Sequence, residues 1–278
     1  MAATSPALHA VGIPSSEPRN GPAALVLHGI YGRGRNWASV AKAVSRLRPD
    51  WTLWLVDLRG HGESPDLEPP HTVDASAADV ARFTETHAVT ARVVIGHSFG
   101  GKVALASVRR LLPALEQVWL IDSTPASRLP GGSAWTMLEA LGEHPGPFDS
   151  RAQAAAALES AGVDSHVAAW MSGNLLRRDG RLAWRIDREQ MRSLLVDFFG
   201  HDYWNLVETP PAGLEIHVIK ASRSSVLDRV ATQRVVAASR STGRVVLHEI
   251  EGGHWLNADN PGALVKLFAR HFPHSVQP

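Results

Sequence analysis

The sequence has no cysteine among its 278 residues, and this absence removes several kinds of chemistry at once. Without thiols there is no disulfide, no thiolate ligand for zinc and no cysteine nucleophile. The sequence also lacks an excess of charge of either sign: it has 28 Lys and Arg and 27 Asp and Glu, for a formal net charge of +1. Since the basic residues are also scattered, we expect no nucleic-acid partner.

Long apolar runs are absent as well. No window approaches the roughly 18 apolar residues that a membrane span requires. Residues 1–18 (MAATSPALHAVGIPSSEP) lack the basic start and apolar core of a signal peptide. We therefore expect a soluble, cytoplasmic protein without a membrane span. Ligand spacings such as His-Glu-x-x-His are also missing, so no metal site is predicted.

Apolar residues are plentiful, and their order along the chain predicts the fold. With 44% hydrophobic residues and 9 Trp, the chain can bury one large core. Candidate helices begin between the apolar runs, at Asn36, Thr72, Lys102, Val226 and Pro261. The alternation predicts an α/β fold with a doubly wound, mostly parallel central sheet. Six nearly continuous apolar runs are typical of strands covered on both faces: Ala23–Gly29, Trp51–Gly60, Arg92–Ser98, Gln117–Pro125, Glu215–Ser222 and Arg244–Gly253.

One region breaks the alternation of strands and helices. Residues 126–211 contain helical patterns and turn residues but no convincing buried strand. We interpret this region as a helical cap inserted over one edge of the sheet. The predicted organisation is a core of residues 1–125 and 212–278 and a cap of residues 126–211.

Ser98 lies where the third apolar run meets a helix, in the stretch GHSFGG. This is the G-x-S-x-G pattern of a nucleophile elbow, in which Gly96 and Gly100 leave space that a sharp turn needs. Such a turn holds the serine Oγ at a helix N-terminus, where backbone N–H groups favour a developing negative charge. The alternative is a capping serine in a glycine-rich loop. The strand before it and the helix after it favour the nucleophile.

A serine nucleophile needs a base, an orienting acid and donors for an oxyanion. Of the 14 histidines, His254 fits the base, because it follows the last predicted strand and precedes the last helix. His97 sits on the elbow itself, where we expect it to pack. The loop HGIYG predicts that the backbone N–H groups of Ile30 and Phe99 form the oxyanion hole, unless this loop is merely a turn.

Four motifs together resemble a known family: HGIYGRGRNW, DLRGHGES, GHSFGG and GGHWLNADNP. In this order and spacing they resemble the α/β-hydrolase superfamily, and specifically small abhydrolase-type esterases of bacteria and mitochondria. The resemblance runs from Ala23 to Phe272 and implies a mostly parallel sheet, a helical cap and no cofactor. Asn174–Asp187 is similar to a hairpin-like stretch in the cap of those esterases. Their N-terminal hairpin is often longer than residues 8–22 allow here, so we expect short first strands.

The acid departs from the commonest pattern of this superfamily. Most members place an aspartate just after the next-to-last strand, where this sequence has Ser224, with Asp228 four residues later. Some members, including similar esterases, take the acid from the preceding strand, which here ends near Asp122. The resemblance therefore favours Asp122, with Asp228 as the alternative acid. A capping or turn role for Asp122 in the sequence DSTP also stays open.

The motif DLRGHGES contains Asp57, Arg59 and His61, but we interpret it as structural. A tight glycine-rich turn at a strand tip explains the motif, with Asp57 and Arg59 paired so that they hold the loops around the site. His61, and His28 in the first loop, are expected to be part of the same scaffold.

The predicted activity is that of a serine esterase on a small-molecule ester, with thioesters and lipid esters as variants of the same substrate class. One alternative is a cofactor-free perhydrolase (haloperoxidase) or C–C bond hydrolase with the same catalytic residues. The other is a non-catalytic small-molecule binding protein on this fold. Large apolar residues that could line the substrate pocket, each of them individually typical of a core, are Trp135, Met137, Met171, Phe199, Trp204 and Trp255.

Overall fold

The computed structural model of the chain describes residues 6–14 and 21–274. Within these ranges seven strands form one sheet and two more form a separate hairpin. The strands in chain order are β1 (Ala10–Ile13), β2 (Ala23–Leu27), β3 (Thr52–Val56), β4 (Ala91–His97), β5 (Gln117–Ile121), β6 (Leu175–Arg178), β7 (Arg181–Trp184), β8 (Glu215–Ala221) and β9 (Val245–Ile250).

Several helices begin at a side chain that caps them. Thr72, for example, accepts a hydrogen bond from the Ala75 N–H at the start of α2. None of the helices in the described part of the chain has the length and hydropathy of a membrane span. Short 3₁₀ turns occur at Gly34–Trp37 and Ser172–Asn174. The α-helices are α1 (Ala38–Leu47), α2 (Val73–Thr86), α3 (Phe99–Leu111), α4 (Gly132–Glu143), α5 (Arg151–Ser160), α6 (Ser165–Met171), α7 (Arg188–Gly200), α8 (Trp204–Glu208), α9 (Arg229–Thr242), α10 (Leu256–Asp259) and α11 (Pro261–His271).

The large sheet has the strand order β1-β3-β2-β4-β5-β8-β9. Only β1 runs antiparallel to its neighbour, so the six predicted apolar runs form the parallel part of the sheet. The predicted mostly parallel sheet is therefore confirmed. β1 is four residues long, in keeping with the short first strands that the resemblance implied. Residues 1–5 and 15–20, which carry part of the signal-peptide argument, lie outside the described ranges.

Alternating strand residues pack on opposite faces of the sheet. Leu25 and Leu27 join the apolar cluster that includes α2, α3 and α9, whereas Ala24 and Val26 join the cluster that includes α1 and α11. Both faces of the parallel strands are thus covered, which explains why β2 and β5 are buried along their whole length. This is the doubly wound arrangement that the sequence predicted.

The strand register brings several chain segments to one edge of the sheet. His97 at the end of β4 pairs with Ile121 at the end of β5, and Ile121 pairs with Ile219 of β8. Ala221 at the end of β8 pairs with Ile250 at the end of β9. Because these strands are parallel, the loops that follow them meet at the same edge.

The chain between β5 and β8 folds into five helices and the β6–β7 hairpin, as the structure describes it. The pairing of Leu175 with Trp184 confirms the hairpin expected within Asn174–Asp187. Buried residues of α4 to α7 join the apolar cluster on the α3 side of the sheet. The division into a core and a cap of residues 126–211 stays a prediction, and the first and last residues of its core lie outside the described ranges.

Lys102 is a fully buried lysine that joins α3 to the region between β5 and β8. Its ammonium donates to the carbonyl oxygens of Ala126 at 2.8 Å, Phe198 at 2.6 Å and His201 at 2.8 Å. Burial, and after it the charge of Arg128, lowers the lysine pKa to about 8. At neutral pH the side chain therefore remains a charged tether with its three donors satisfied.

Replacing Lys102 by methionine tests this tether. We expect Lys102→Met to lower the free energy of unfolding by about 3–5 kcal/mol, because three carbonyl oxygens lose the buried donor that they share. Chemical denaturation measures the change. Lys42→Met, on the exposed side of α1, is the matched control and should change stability by less than about 0.5 kcal/mol. Equal effects of the two substitutions would contradict the tether.

A group of histidines packs beside Trp119 within the sheet. The His217 ring stacks on Trp119 with centroids 3.9 Å apart, and His217 Nδ1 lies 3.0 Å from His248 Nε2. Burial, and after it the neighbouring histidines, lowers the pKa of His217 to about 3 and that of His248 to about 4. Both rings are therefore neutral in the folded protein at ordinary pH.

These neutral histidines predict acid sensitivity of the fold. The pKa of His217 is lower in the folded chain than the ordinary value of 6.5, so its contribution to stability is complete above pH 6.5 and is lost as the pH falls. At pH 5 one such histidine removes about 2 kcal/mol from the free energy of unfolding. Denaturation at pH 7 and pH 5 should show a smaller loss for His217→Gln than for wild type. His166→Gln, at an exposed position, should lose as much as wild type.

Candidate active site

Ser98 occupies a strained turn between β4 and α3. Its φ of 51° lies in the left-handed region, which is unusual for a residue with a Cβ and costs on the order of 1–3 kcal/mol. Hydrogen bonds hold the turn: the Ser98 N–H donates to the Ile121 carbonyl at 3.0 Å, and Ser123 Oγ donates to the Ser98 carbonyl at 2.6 Å. The end of β5 and the residues after it thus maintain the strained conformation.

Glycine is required on both sides of Ser98 for steric reasons. A Cβ at position 96 would lie 2.1 Å from the Gly100 carbonyl oxygen, and one at position 100 would lie 2.4 Å from the Leu27 carbonyl oxygen. Both neighbours are backbone atoms, which cannot rotate away. The turn therefore needs the two glycines that the sequence pattern contains.

His254 and Asp122 form a hydrogen-bonded pair next to this turn. His254 Nδ1 lies 2.6 Å from Asp122 Oδ2, and the aspartate is fully buried. The carboxylate also accepts hydrogen bonds from Ser224 Oγ at 2.6 Å and from the Ala221 N–H at 3.3 Å. Because an ionised carboxylate only accepts, His254 donates its Nδ1 proton and keeps Nε2 as a proton acceptor.

The two candidate acids have different surroundings. Asp228 caps α9 by accepting a hydrogen bond from the Ala231 N–H at 2.8 Å, whereas Asp122 contacts His254. Ser224, which stands where most superfamily members have the acid, donates to Asp122 instead. Sequence reasoning did not identify Ser224 as part of the site, because a serine in a loop carries no signal for this role.

His97 supports His254 from the elbow. Its Nε2 lies 2.8 Å from the His254 carbonyl oxygen, and the two ring centroids are 4.7 Å apart. Burial, and after it the proximity of His254, lowers the pKa of His97 to about 3. The neutral ring can therefore donate its Nε2 proton to that carbonyl and hold the His254 backbone. This matches the packing role expected for it.

Ser98 and His254 line the same cavity, which has a volume of about 60 Å³. Among the described residues, no hydrogen bond joins the Ser98 hydroxyl to His254. Catalytic hydrogen bonds are often long when no ligand is bound and shorten in the complex. The described part of the chain contains no group of three or more His, Asp or Glu side chains that could hold a metal ion.

The loop after β2 supplies backbone donors beside the cavity. The Tyr31 N–H donates to His61 Nε2 at 3.1 Å, and Asn174 Nδ2 donates to the Tyr31 carbonyl at 2.7 Å. Ile30 lines the cavity, and Phe99 is the first residue of α3, where an amide has no partner within its own helix. Within the described residues, neither the Ile30 nor the Phe99 amide donates to another group.

Two neutral histidines hold this loop against its neighbours. His28 accepts from the Leu58 N–H at 3.0 Å through Nε2, and its Nδ1 lies 2.7 Å from the Gly29 carbonyl. His61 makes the equivalent pair of contacts, with Tyr31 and with the Arg59 carbonyl at 2.8 Å. Burial lowers the pKa of both rings, that of His61 to about 3. Their scaffold role agrees with the expectation.

The expected pairing of Asp57 with Arg59 is wrong. Arg59 Nε donates to Asp79 of α2 at 2.6 Å. Asp57 instead accepts the backbone N–H groups of Gly34 at 2.6 Å and Glu63 at 2.9 Å. Burial raises the Asp57 pKa, but these backbone hydrogen bonds, together with the nearby His28 and the hydrogen bond with His9, lower it, and the net shift is downward. The turn directs the two side chains to different elements, so each finds another partner.

The predicted pocket residues divide into two groups. Met137 and Trp255 line the cavity, whereas Trp135, Met171, Phe199 and Trp204 are not among its lining residues. The latter four pack elsewhere: the Trp204 ring, for instance, lies 4.0 Å from the Arg234 guanidinium. Sequence reasoning missed Val167 and Trp170, which both line the cavity. Their spacing of three on a helix was the available signal.

Comparison with known sequences adds to this geometry. A model of the alpha/beta hydrolase family matches residues 24–267. The chain is 25% identical over 242 aligned residues to the sn-1-specific diacylglycerol lipase ABHD11 of Danio rerio, and this alignment covers 85% of this chain and 74% of the relative. It is 27% identical over 259 aligned residues to lipase LipV of Mycobacterium tuberculosis, and this alignment covers 87% of this chain and 90% of the relative.

A solved structure with the same fold is that of a marine microorganism esterase. It superposes with a TM-score of 0.80, covering 95% of this chain and 98% of that one. The sequences are only 20% identical, so this likeness concerns the fold.

The close approach at Gly96 predicts a severe effect of a single methyl group. Gly96→Ala should lower the free energy of unfolding by about 3 kcal/mol or more, because the new Cβ overlaps backbone atoms of the turn. Gly262→Ala is the control: it adds the same group in α11, where nothing lies within 4 Å. It should stabilise the protein by about 0.5–1 kcal/mol. Thermal unfolding measures both, and a Gly96→Ala protein as stable as wild type would disprove the steric argument.

Proposed function

The chain belongs to the alpha/beta hydrolase family, as its motifs predicted, and from this premise we propose that it is a serine hydrolase that cleaves carboxylic esters through an acyl-enzyme intermediate. One observation carries the proposal: His254 Nδ1 lies 2.6 Å from the buried Asp122 carboxylate, beside a cavity that Ser98 and His254 both line. The lipases among its relatives support hydrolase activity.

In the first half of the reaction, Ser98 Oγ attacks the ester carbonyl carbon while His254 Nε2 takes the hydroxyl proton. Asp122 keeps the imidazole in the required tautomer and stabilises the imidazolium that forms. The Ile30 and Phe99 N–H groups donate to the oxyanion. The tetrahedral intermediate then breaks its bond to the alcohol oxygen, which takes the proton from His254 Nε2 and departs.

In the second half, water replaces the alcohol. His254 Nε2 takes a proton from this water as its oxygen attacks the acyl carbon, and the same N–H groups donate to the new oxyanion. Collapse returns the proton to Ser98 Oγ and releases the carboxylic acid. No cofactor or metal enters either half. Thioesters and lipid esters would react through the same two steps.

We also assign residues 126–211 the role of a cap over this site. Met137 of α4 and Val167 of α6 belong to this region and line the cavity with Ser98. The Tyr31 hydroxyl donates to the Ala134 carbonyl at 2.9 Å, so the loop after β2 contacts α4 directly. The cap would thus exclude water and shape the acyl site.

Labelling with a fluorophosphonate probe, read by intact mass, tests the proposed residues. We expect one adduct on wild type, none on Ser98→Ala, and labelling slowed by about 10³-fold or more in His254→Ala and Asp122→Asn. Asp228→Asn is the matched control. Asparagine caps a helix as well as aspartate does, so this variant should react at the wild-type rate.

The outcomes separate the alternatives. A folded wild-type protein that takes no adduct would disprove the serine hydrolase and favour a binding protein. An adduct without hydrolysis of p-nitrophenyl esters would favour a perhydrolase or C–C bond hydrolase that uses the same residues. Slow labelling of Asp228→Asn, with Asp122→Asn unaffected, would assign the acid to Asp228.

A further inference from the structure

We infer that the acyl site accepts only short, uncharged acyl groups, of about two to four carbons, and that Trp170 of α6 sets this limit. The inference rests on the proposed function, because it concerns the substrate of the same serine. It goes further because it limits the length of the acyl group and names the residue that determines this limit. Three observations carry it: the volume of the cavity, the chemistry of its walls and the anchoring of Trp170.

The volume of the cavity limits the acyl chain. It measures about 60 Å³ next to Ser98 and His254. An apolar cavity of about 150 Å³ in a protein core accommodates one benzene molecule, which has six carbons. By that scale the present cavity has room for about two to four carbon atoms. An acetyl, propionyl or butyryl group would fill this space, whereas most of an octanoyl chain would have to lie outside it.

The walls of the cavity favour an uncharged group. No Asp, Glu, Lys or Arg lines it. His97 also lines it, but burial lowers the pKa of His97 to about 3, so that ring is neutral, and Tyr31, whose pKa is raised by burial, stays protonated. Met137, Val167 and Trp255 present apolar surface. A carboxylate or phosphate on the acyl chain would lose its hydration here without gaining a cationic partner.

Trp170 packs against Trp255 in the wall of the cavity. The two ring centroids are 4.5 Å apart and the planes are tilted by 51°. Val167 precedes Trp170 by three residues, so both side chains lie on one face of α6, and both line the cavity. Because Trp170 is the largest side chain that α6 contributes, its indole determines how far an acyl chain can extend toward the cap.

The helix that carries Trp170 is capped at its start and joined to the loop after β2 just beyond its end. Asp164 Oδ1 accepts the His166 N–H at 2.9 Å at its start. Just after its end, Asn174 donates to the Tyr31 carbonyl at 2.7 Å. This second contact joins α6 to the loop that contains Ile30. A wall held in this way cannot easily yield to a longer chain, so the size limit should appear in the kinetics.

A series of p-nitrophenyl esters tests the limit. We expect wild-type kcat/KM to fall by about 100-fold or more from the butyrate to the octanoate, since each added methylene that cannot be accommodated costs substantial discrimination. Trp170→Ala should raise the octanoate-to-butyrate ratio of kcat/KM at least about tenfold. Trp135→Ala is the matched control, since this half-buried tryptophan of α4 does not line the cavity. Its ratio should equal that of wild type.

Fluorophosphonate labelling of the same proteins separates the two proposals. An octanoate preference in wild type, or an unchanged ratio in Trp170→Ala, overturns the size limit alone if Ser98 still forms its adduct. Absence of an adduct in folded wild type overturns the proposed function and this inference together. If Trp170→Ala fails to fold, Trp170→Leu provides the measurement, with a smaller increase in the ratio expected and an unchanged ratio again decisive against the limit.

Discussion

The buried carboxylate of Asp122 is the group around which the loops at the sheet edge are arranged. It is fully buried, and a buried charge is tolerated only where donors surround it. Its donors come from other strands: the Ala221 N–H at the end of β8, Ser224 Oγ in the loop that follows, and His254 Nδ1 after β9. These contacts keep three strand ends together beside the turn that carries Ser98. The loops would separate without the register that aligns β5, β8 and β9.

The strained turn at Ser98 persists for a related reason. Its left-handed backbone is held by hydrogen bonds to Ile121 and Ser123, and glycines make room for the close approach of the chain. Around it, His28 and His61 each bridge two loops by donating from one ring nitrogen and accepting at the other. An imidazolium could not accept. The burial that keeps these rings neutral is therefore what allows them to serve as connectors.

The region between β5 and β8 has a different part in the molecule. It contributes apolar walls of the cavity through α4 and α6. Polar contacts join it to the rest of the chain: Lys102 of α3 donates to one of its carbonyl oxygens, and its own Asn174 donates to the loop after β2. The proposed chemistry depends on loops at the sheet edge, whereas the proposed size limit depends on a helix packed over them. Related hydrolases can therefore keep one reaction and change the substrate by changing this region.

Local sequence determined the six parallel strands, the elbow at Ser98 and the position of His254, because strand burial and a sharp glycine-flanked turn leave patterns in consecutive residues. Local sequence did not determine whether Asp122 or Asp228 lies beside His254. The outcome depends on which carboxylate the aligned strand ends bring to His254, and the structure places Asp122 there and Asp228 at a helix cap. The pairing expected between Asp57 and Arg59 was wrong for the same reason, since Asp79 comes from a distant helix.

Apolar spacing likewise identifies a buried helix face without saying whether that face covers a core or a cavity. Only the packing of α4 and α6 against the sheet edge made Met137 and Trp170 cavity residues and left Trp204 outside.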